Sequence, residues 1–136
     1  MNKTEDIKLN EVLSVYDGDT FRGRVNAWPP FFGENMGFRL YGVDTPERGW
    51  RAKSDLEREH AEKAREFTLK MLTEAKKVVF DVIKYDRNGG RIVAKARCDG
   101  KDISEALIEN KLAVEYYGKG PKVNWAEWII EMGLDK

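Results

Sequence analysis

Gly37-Phe38-Arg39-Leu40-Tyr41-Gly42-Val43-Asp44-Thr45-Pro46-Glu47 holds a strand, its break and the approach to a helix. Residues 37–41 read as a strand in which Phe38 and Leu40 face a core, so Arg39 points the other way. Asp44 lies an odd number of positions from Arg39, and strict strand geometry would put the two on opposite faces. If both serve one site, the strand must end or twist near Gly42. Pro46 fixes its own φ and biases Thr45 towards an extended conformation, which helps to aim the Thr45 carbonyl.

Further strand-like segments lie on either side: Val12 to Val15, Thr20 to Ala27, Val78 to Lys84 and Arg91 to Arg97. They carry β-branched and aromatic residues and are separated by turns bearing Gly or Asn. The longest helical segment runs from about Ser54 to Lys77, with Ala64, Phe67, Met71, Leu72 and Ala75 on one apolar face. Three helix starts repeat a capping side chain followed three residues later by Glu: Ser54 with Glu57, Asp102 with Glu105, Asn124 with Glu127. Ile103, Ala106 and Leu107 are the inward residues of the second helix, and Trp125, Trp128, Ile129 and Met132 those of the third, which Gly133 stops. The order implies an α+β domain, a small closed barrel with helices packed on one side. A single domain over residues 1–136 is expected, with a loosely ordered tail over 1–8. Trp28 to Phe32 reads as packing over the barrel end in preference to a base-stacking platform.

Lys and Arg total 24 and Asp and Glu also total 24. That balance argues against nonspecific coating of nucleic acid but leaves room for a small phosphate site built from a few arginines. Cys98 and His60 are each the sole residue of their type, which removes intrachain disulfides and nearly excludes zinc and His-pair chemistry. His60 reads as a solvated helix residue. No stretch approaches membrane-spanning length. Residues 1–8 carry acids and no apolar run, so a cytoplasmic location is the expectation. No heptad seam demands a dimer, and a monomer is expected.

The chemistry-bearing residues are carboxylates and arginines. Asp17-Gly18-Asp19-Thr20 sits between two strands, Gly18 permitting a turn that a side chain would resist. Calcium takes carboxylate and backbone carbonyl oxygens, so Asp19, Asp44 and the Thr45 carbonyl suit part of its shell, with water and phosphate completing it. Glu47 is then free to act on a water. Arg39 and Arg91 offer planar forks to phosphate oxygens.

These motifs resemble the staphylococcal (thermonuclease-like) nuclease family. The matching residues are Val15 to Thr20, Phe38-Arg39-Leu40, Gly42 to Glu47, Arg91, Asp99-Gly100-Lys101, Glu105 to Ile108 and Leu112-Ala113. The resemblance implies a five-stranded OB-type barrel with three helices and calcium-dependent endonucleolytic hydrolysis of DNA and RNA. It implies Asp19, Asp44 and the Thr45 carbonyl as metal ligands, Glu47 as general base, Arg39 and Arg91 as phosphate clamps, and 3′-phosphate products. Calcium is favoured over magnesium or manganese, and single-stranded over paired substrate. Tyr117, and less closely Tyr116, match positions that cover a sugar or base. Asp86 to Arg91 is one residue longer than the family pattern. Either Arg87 or Arg91 can then be the clamp, and the register of the following strand favours Arg91. Lys111 stands where a glycine usually closes the second helix. The competing reading is an OB-like nucleic-acid or protein binding module without turnover.

Overall fold

The computed structural model describes residues 5–87 and 89–136. The strands are β1 (Ile7–Leu9), β2 (Glu11–Asp17), β3 (Thr20–Arg24), β4 (Met36–Leu40), β5 (Val43–Asp44), β6 (Val78–Asp86), β7 (Arg91–Cys98), β8 (Lys101–Asp102) and β9 (Val114–Glu115). The helices are α1 (Pro30–Gly33), α2 (Asp55–Glu74), α3 (Ile103–Glu109) and α4 (Trp125–Glu131), with a 3-10 turn at Gly49–Arg51.

The main sheet runs β1-β6-β7-β4-β3-β2, with β8 on β7. Its two ends are one run of chain interrupted at Asn10, so the sheet curls back on itself. Asn10 secures that bend: its N–H donates to the Arg24 carbonyl (2.8 Å), and its Oδ1 accepts from the Asn26 N–H (2.8 Å). Counting β1 with β2, five strands make the barrel wall, with β4 and β7 parallel. This is the expected α+β arrangement of OB type. The three capped helices are α2, α3 and α4, each started by the expected side chain: Ser54, Asp102 and Asn124 accept from the backbone N–H three residues on.

Alternation fills the interior. Phe21, Phe38, Leu40 and Phe80 are fully buried, Phe21 stacks on Phe38 at 5.1 Å, and Phe80 meets Phe38 edge-on at 4.8 Å. Each such side chain contributes about 1.5–3 kcal/mol relative to exposure. Ile103 and Leu107 of α3 close one end of the barrel.

Four expectations change. Ile7 and Lys8 pair with Phe80 and Val79, so the loose tail foreseen over 1–8 does not extend through them; residues 1–4 lie outside the described residues. His60 is 5% exposed; a carbonyl only accepts, so Nε2 carries the proton it donates to the Lys111 carbonyl (2.7 Å). Of the charged residues just before it, Glu59 is exposed, while Glu57, one turn earlier, is buried with it. Met132, expected inside, is exposed, because α4 ends at Glu131 and Gly133 turns the chain at φ 69°. The Trp28–Phe32 segment divides: Trp28 packs edge-on against Phe80 (5.6 Å), while Phe31 is 87% exposed.

Candidate active site

The β2–β3 turn and the end of β4 place the acids. Gly18 owes its identity to a neighbouring helix: a Cβ there would lie 2.8 Å from the Ala64 Cβ, and Thr68 Oγ1 donates to the Gly18 carbonyl at 2.6 Å. Helix α2 thus holds the turn that displays Asp17 and Asp19. Gly42 breaks the strand as required, at φ +85°. Val43 and Asp44 then leave the main sheet and pair with Glu115 and Val114. That pairing brings Tyr116 and Tyr117 beside Gly42, two residues before Asp44.

Asp17, Asp19 and Asp44 are all buried. Asp19 is the hub: Oδ1 accepts from the Thr20 hydroxyl (2.9 Å), Oδ2 accepts from the Thr45 N–H (3.1 Å), and its own carbonyl accepts from the Leu40 N–H (2.9 Å). Arg39 forms an ion pair with Asp19 through Nη1, and its Nη2 lies 3.7 Å from Asp44 Oδ1. Asp44 also meets Lys122 Nζ at 3.4 Å. Asp17 Oδ1 is buried without a hydrogen-bond partner.

Burial, and then the charges of Asp19 and Glu47, push the Asp17 carboxyl up to about 7. Asp44 is raised too, chiefly by burial and opposed by Lys122, with Asp19 raising it and Arg39 lowering it. These couplings bring Asp17, Asp19, Asp44, Glu47 and Arg39 into one electrostatic unit. Glu47 Oε2 is buried without a hydrogen-bond partner, and Glu47 lines a cleft of about 460 Å³ together with Asp44 and Lys122. The Glu57 carboxylate fixes the loop after Glu47, accepting from the Glu47 N–H (2.8 Å) and the Lys53 N–H (2.9 Å).

Arg91 stands on the outer face of the sheet. It pairs with Gly37, whereas Arg39 pairs with Val93, so the two arginines share a face one row apart. Arg91 Nε lies 3.5 Å from Asp86. Arg87 is in the exposed turn, while Asn88 of that turn lies outside the described residues. Tyr117 is exposed and packs on Tyr41 (5.4 Å) and against Gly42. Tyr116 is half-buried, its hydroxyl 3.3 Å from the Gly120 carbonyl and its ring under Lys122.

Residues 37–128 match the family described as Staphylococcal nuclease homologue, more than half of the chain. The chain belongs to that family. In this staphylococcal nuclease homologue the Asp17-Gly18-Asp19-Thr20 turn precedes the matched residues, so its place in the site rests on the hydrogen bonds and ion pairs above.

The donor set suits a hard cation. Three buried carboxylates repel one another, one oxygen of Asp17 is unpartnered, and the Thr45 carbonyl adjoins Asp44. Among the described residues no three Asp, Glu, His or Cys side chains form a ready cage. A hard cation held there would take carbonyl and water oxygens to complete a shell begun by two acids. Three contributors escaped sequence reasoning. Asp17 was given no role, although it flanks Gly18 just as Asp19 does. Lys122 carries no local signal that connects it to Asp44, 78 positions away. Arg22 lies over Gly37, its Nη1 3.1 Å from where a Cβ would stand, beside Arg91; the missing side chain at Gly37 was its trace in the sequence.

Proposed function

We propose that this protein is a calcium-dependent endonuclease that hydrolyses phosphodiester bonds of DNA or RNA, favouring unpaired strands. The observation that carries the reading is the convergence of Asp19, Asp44 and Arg39, with Glu47, whose Oε2 has no hydrogen-bond partner, lining the same cleft as Asp44. Asp19, Asp44 and the Thr45 carbonyl would hold the ion, with Asp17 close by. Calcium bound there supplies positive charge against the phosphate oxygens.

The chain's own groups do the rest. Glu47 accepts a proton from a water whose oxygen bonds to phosphorus. The P–O bond to the 5′ oxygen breaks, the bonding pair leaves with that oxygen, and a proton from solvent neutralises it. The phosphate stays on the 3′ oxygen. Arg39 and Arg91 meet the second negative charge that gathers as water adds, and this is where the rate gain lies. Tyr117 and Tyr116 flank the position of the sugar or base.

Single-turnover cleavage of a single-stranded oligonucleotide tests these assignments. Glu47→Gln should slow the cleavage step by about 10²- to 10⁴-fold, and Arg39→Ala or Arg91→Ala by about 10²- to 10³-fold. Wild-type rates in all three variants would remove the assignments.

One observation favours the binding-module reading: Lys122 and Arg39 already neutralise Asp44 and Asp19. A chain that binds strands tightly and cuts none in any metal would establish that reading.

A further inference from the structure

The loop that follows Glu47 carries the most exposed tryptophan-cation cluster near the site, and the chemistry proposed above does not use it. Trp50 is 86% exposed at the middle of the 3-10 turn, three residues beyond Glu47. An indole so exposed on a mobile loop would mean little, but this loop is pinned at both ends. The Gly49 carbonyl accepts from Arg58 Nε at 3.1 Å. The Glu57 carboxylate bridges the N–H groups of Glu47 and Lys53.

Cations and rings interleave here. The Arg51 guanidinium lies 5.6 Å from the centroid of Trp50 and 5.9 Å from that of Tyr16. Arg48 lies 5.5 Å from the Tyr16 ring on another approach, donates to the Tyr16 carbonyl at 2.6 Å, and is braced by Glu62 at 2.8 Å. Tyr16 is itself exposed. Arg51 also lines the cleft shared by Asp44 and Glu47, so the cluster is continuous with the candidate active site.

We propose that Trp50, backed by Arg51 and Tyr16, is a stacking platform for one unpaired nucleobase of the substrate strand, next to the phosphodiester held at Glu47. This rests on the nuclease reading and deepens it by naming a subsite. A flat, exposed ring offers a π-face that any base accepts, and Arg51 and Arg48 add charge that matches a neighbouring phosphate. A base inside a duplex has both faces covered, so the platform selects unpaired strands, or frayed ends of paired ones. Charge complementarity and a rigid presentation favour a nucleic-acid occupant over an apolar protein surface.

Affinities measured in calcium, in the Glu47→Gln chain so that the strand survives, test the platform. The probes are a single-stranded oligothymidylate and a deoxyribose-phosphate strand of equal length without bases. Trp50→Ala should weaken oligothymidylate binding by roughly 5- to 150-fold, the range of one lost base stack. Binding of the abasic strand should stay the same, and Trp50→Phe should restore most of the oligothymidylate affinity. Unchanged oligothymidylate affinity in Trp50→Ala, or an equal loss on both probes, would overturn the platform. Cleavage by the unmodified chain is read separately. A chain that cuts DNA yet ignores Trp50 overturns the platform alone. A chain that neither cuts nor binds overturns the nuclease reading with it.

Discussion

At the scale of single residues, the candidate site keeps acids close that repel one another. Asp17 shows the cost most clearly. Its carboxyl is raised to about 7 from the ordinary value near 3.8, first by burial and then by Asp19 and Glu47. For an acid raised on folding, the native state holds the proton more tightly than the unfolded chain. The stability this gives is complete below about pH 4 and is lost as pH rises through about 7. Metal-free protein should therefore lose stability across that window, and Asp17→Asn should flatten the slope. At pH 7.5 the variant should be the more stable by about 2 kcal/mol, less than the full shift because one side of the site is open to solvent. Urea unfolding at several pH values in chelator checks this, and parallel slopes for both proteins would contradict it. His60 contributes in the opposite sense: burial lowers its pKa, so its share of stability is lost as pH falls. Comparing variant with wild type cancels that share.

At the scale of elements, the site is a contact between a turn and a helix. Gly18 has no room for a side chain because α2 crosses the turn at Ala64. Gly18→Ala should destabilise the chain by about 1–3 kcal/mol through overpacking. It should also slow cleavage, since Asp17 and Asp19 move with the turn. Denaturation together with the cleavage rate measures both, and wild-type stability would show that the turn has slack. Much of this organisation was legible beforehand. Phe38 and Leu40 flanking Arg39 gave the strand and its faces, the odd spacing to Asp44 required the break that Gly42 provides, and three cap-plus-Glu pairs marked three helix starts. Local chemistry fixes such features. What stayed hidden depends on partners distant in sequence. Glycine at 18 was traced to turn conformation when the cause is a helix 46 positions on. His60 looked solvated because α2 is charged around it, yet it faces the Lys111 carbonyl. Lys111, at φ 59°, closes α3 in a left-handed conformation that glycine would adopt more easily; the His60 hydrogen bond helps hold it there.

At the scale of the molecule, a barrel closed through Asn10 gathers charged groups from three segments of the chain. The β2–β3 turn brings Asp17 and Asp19, β4 and the chain beyond it bring Arg39, Asp44 and Glu47, and the segment before α4 brings Lys122. A chain with no net charge thereby concentrates its charges at one place, where the proposed function puts one phosphate. Binding should accordingly depend on a few placed cations, giving a shallower salt dependence than a protein coated with lysines. The proposed activity is calcium-assisted hydrolysis of phosphodiesters at this site. It is tested most directly by incubating single-stranded DNA with the purified protein in calcium, in magnesium and in chelator, and determining the ends of any fragments. Fragments that end in 3′-phosphate should form in calcium, and none in chelator. Intact DNA in every condition from a folded protein, or fragments that end in 3′-hydroxyl, would contradict it.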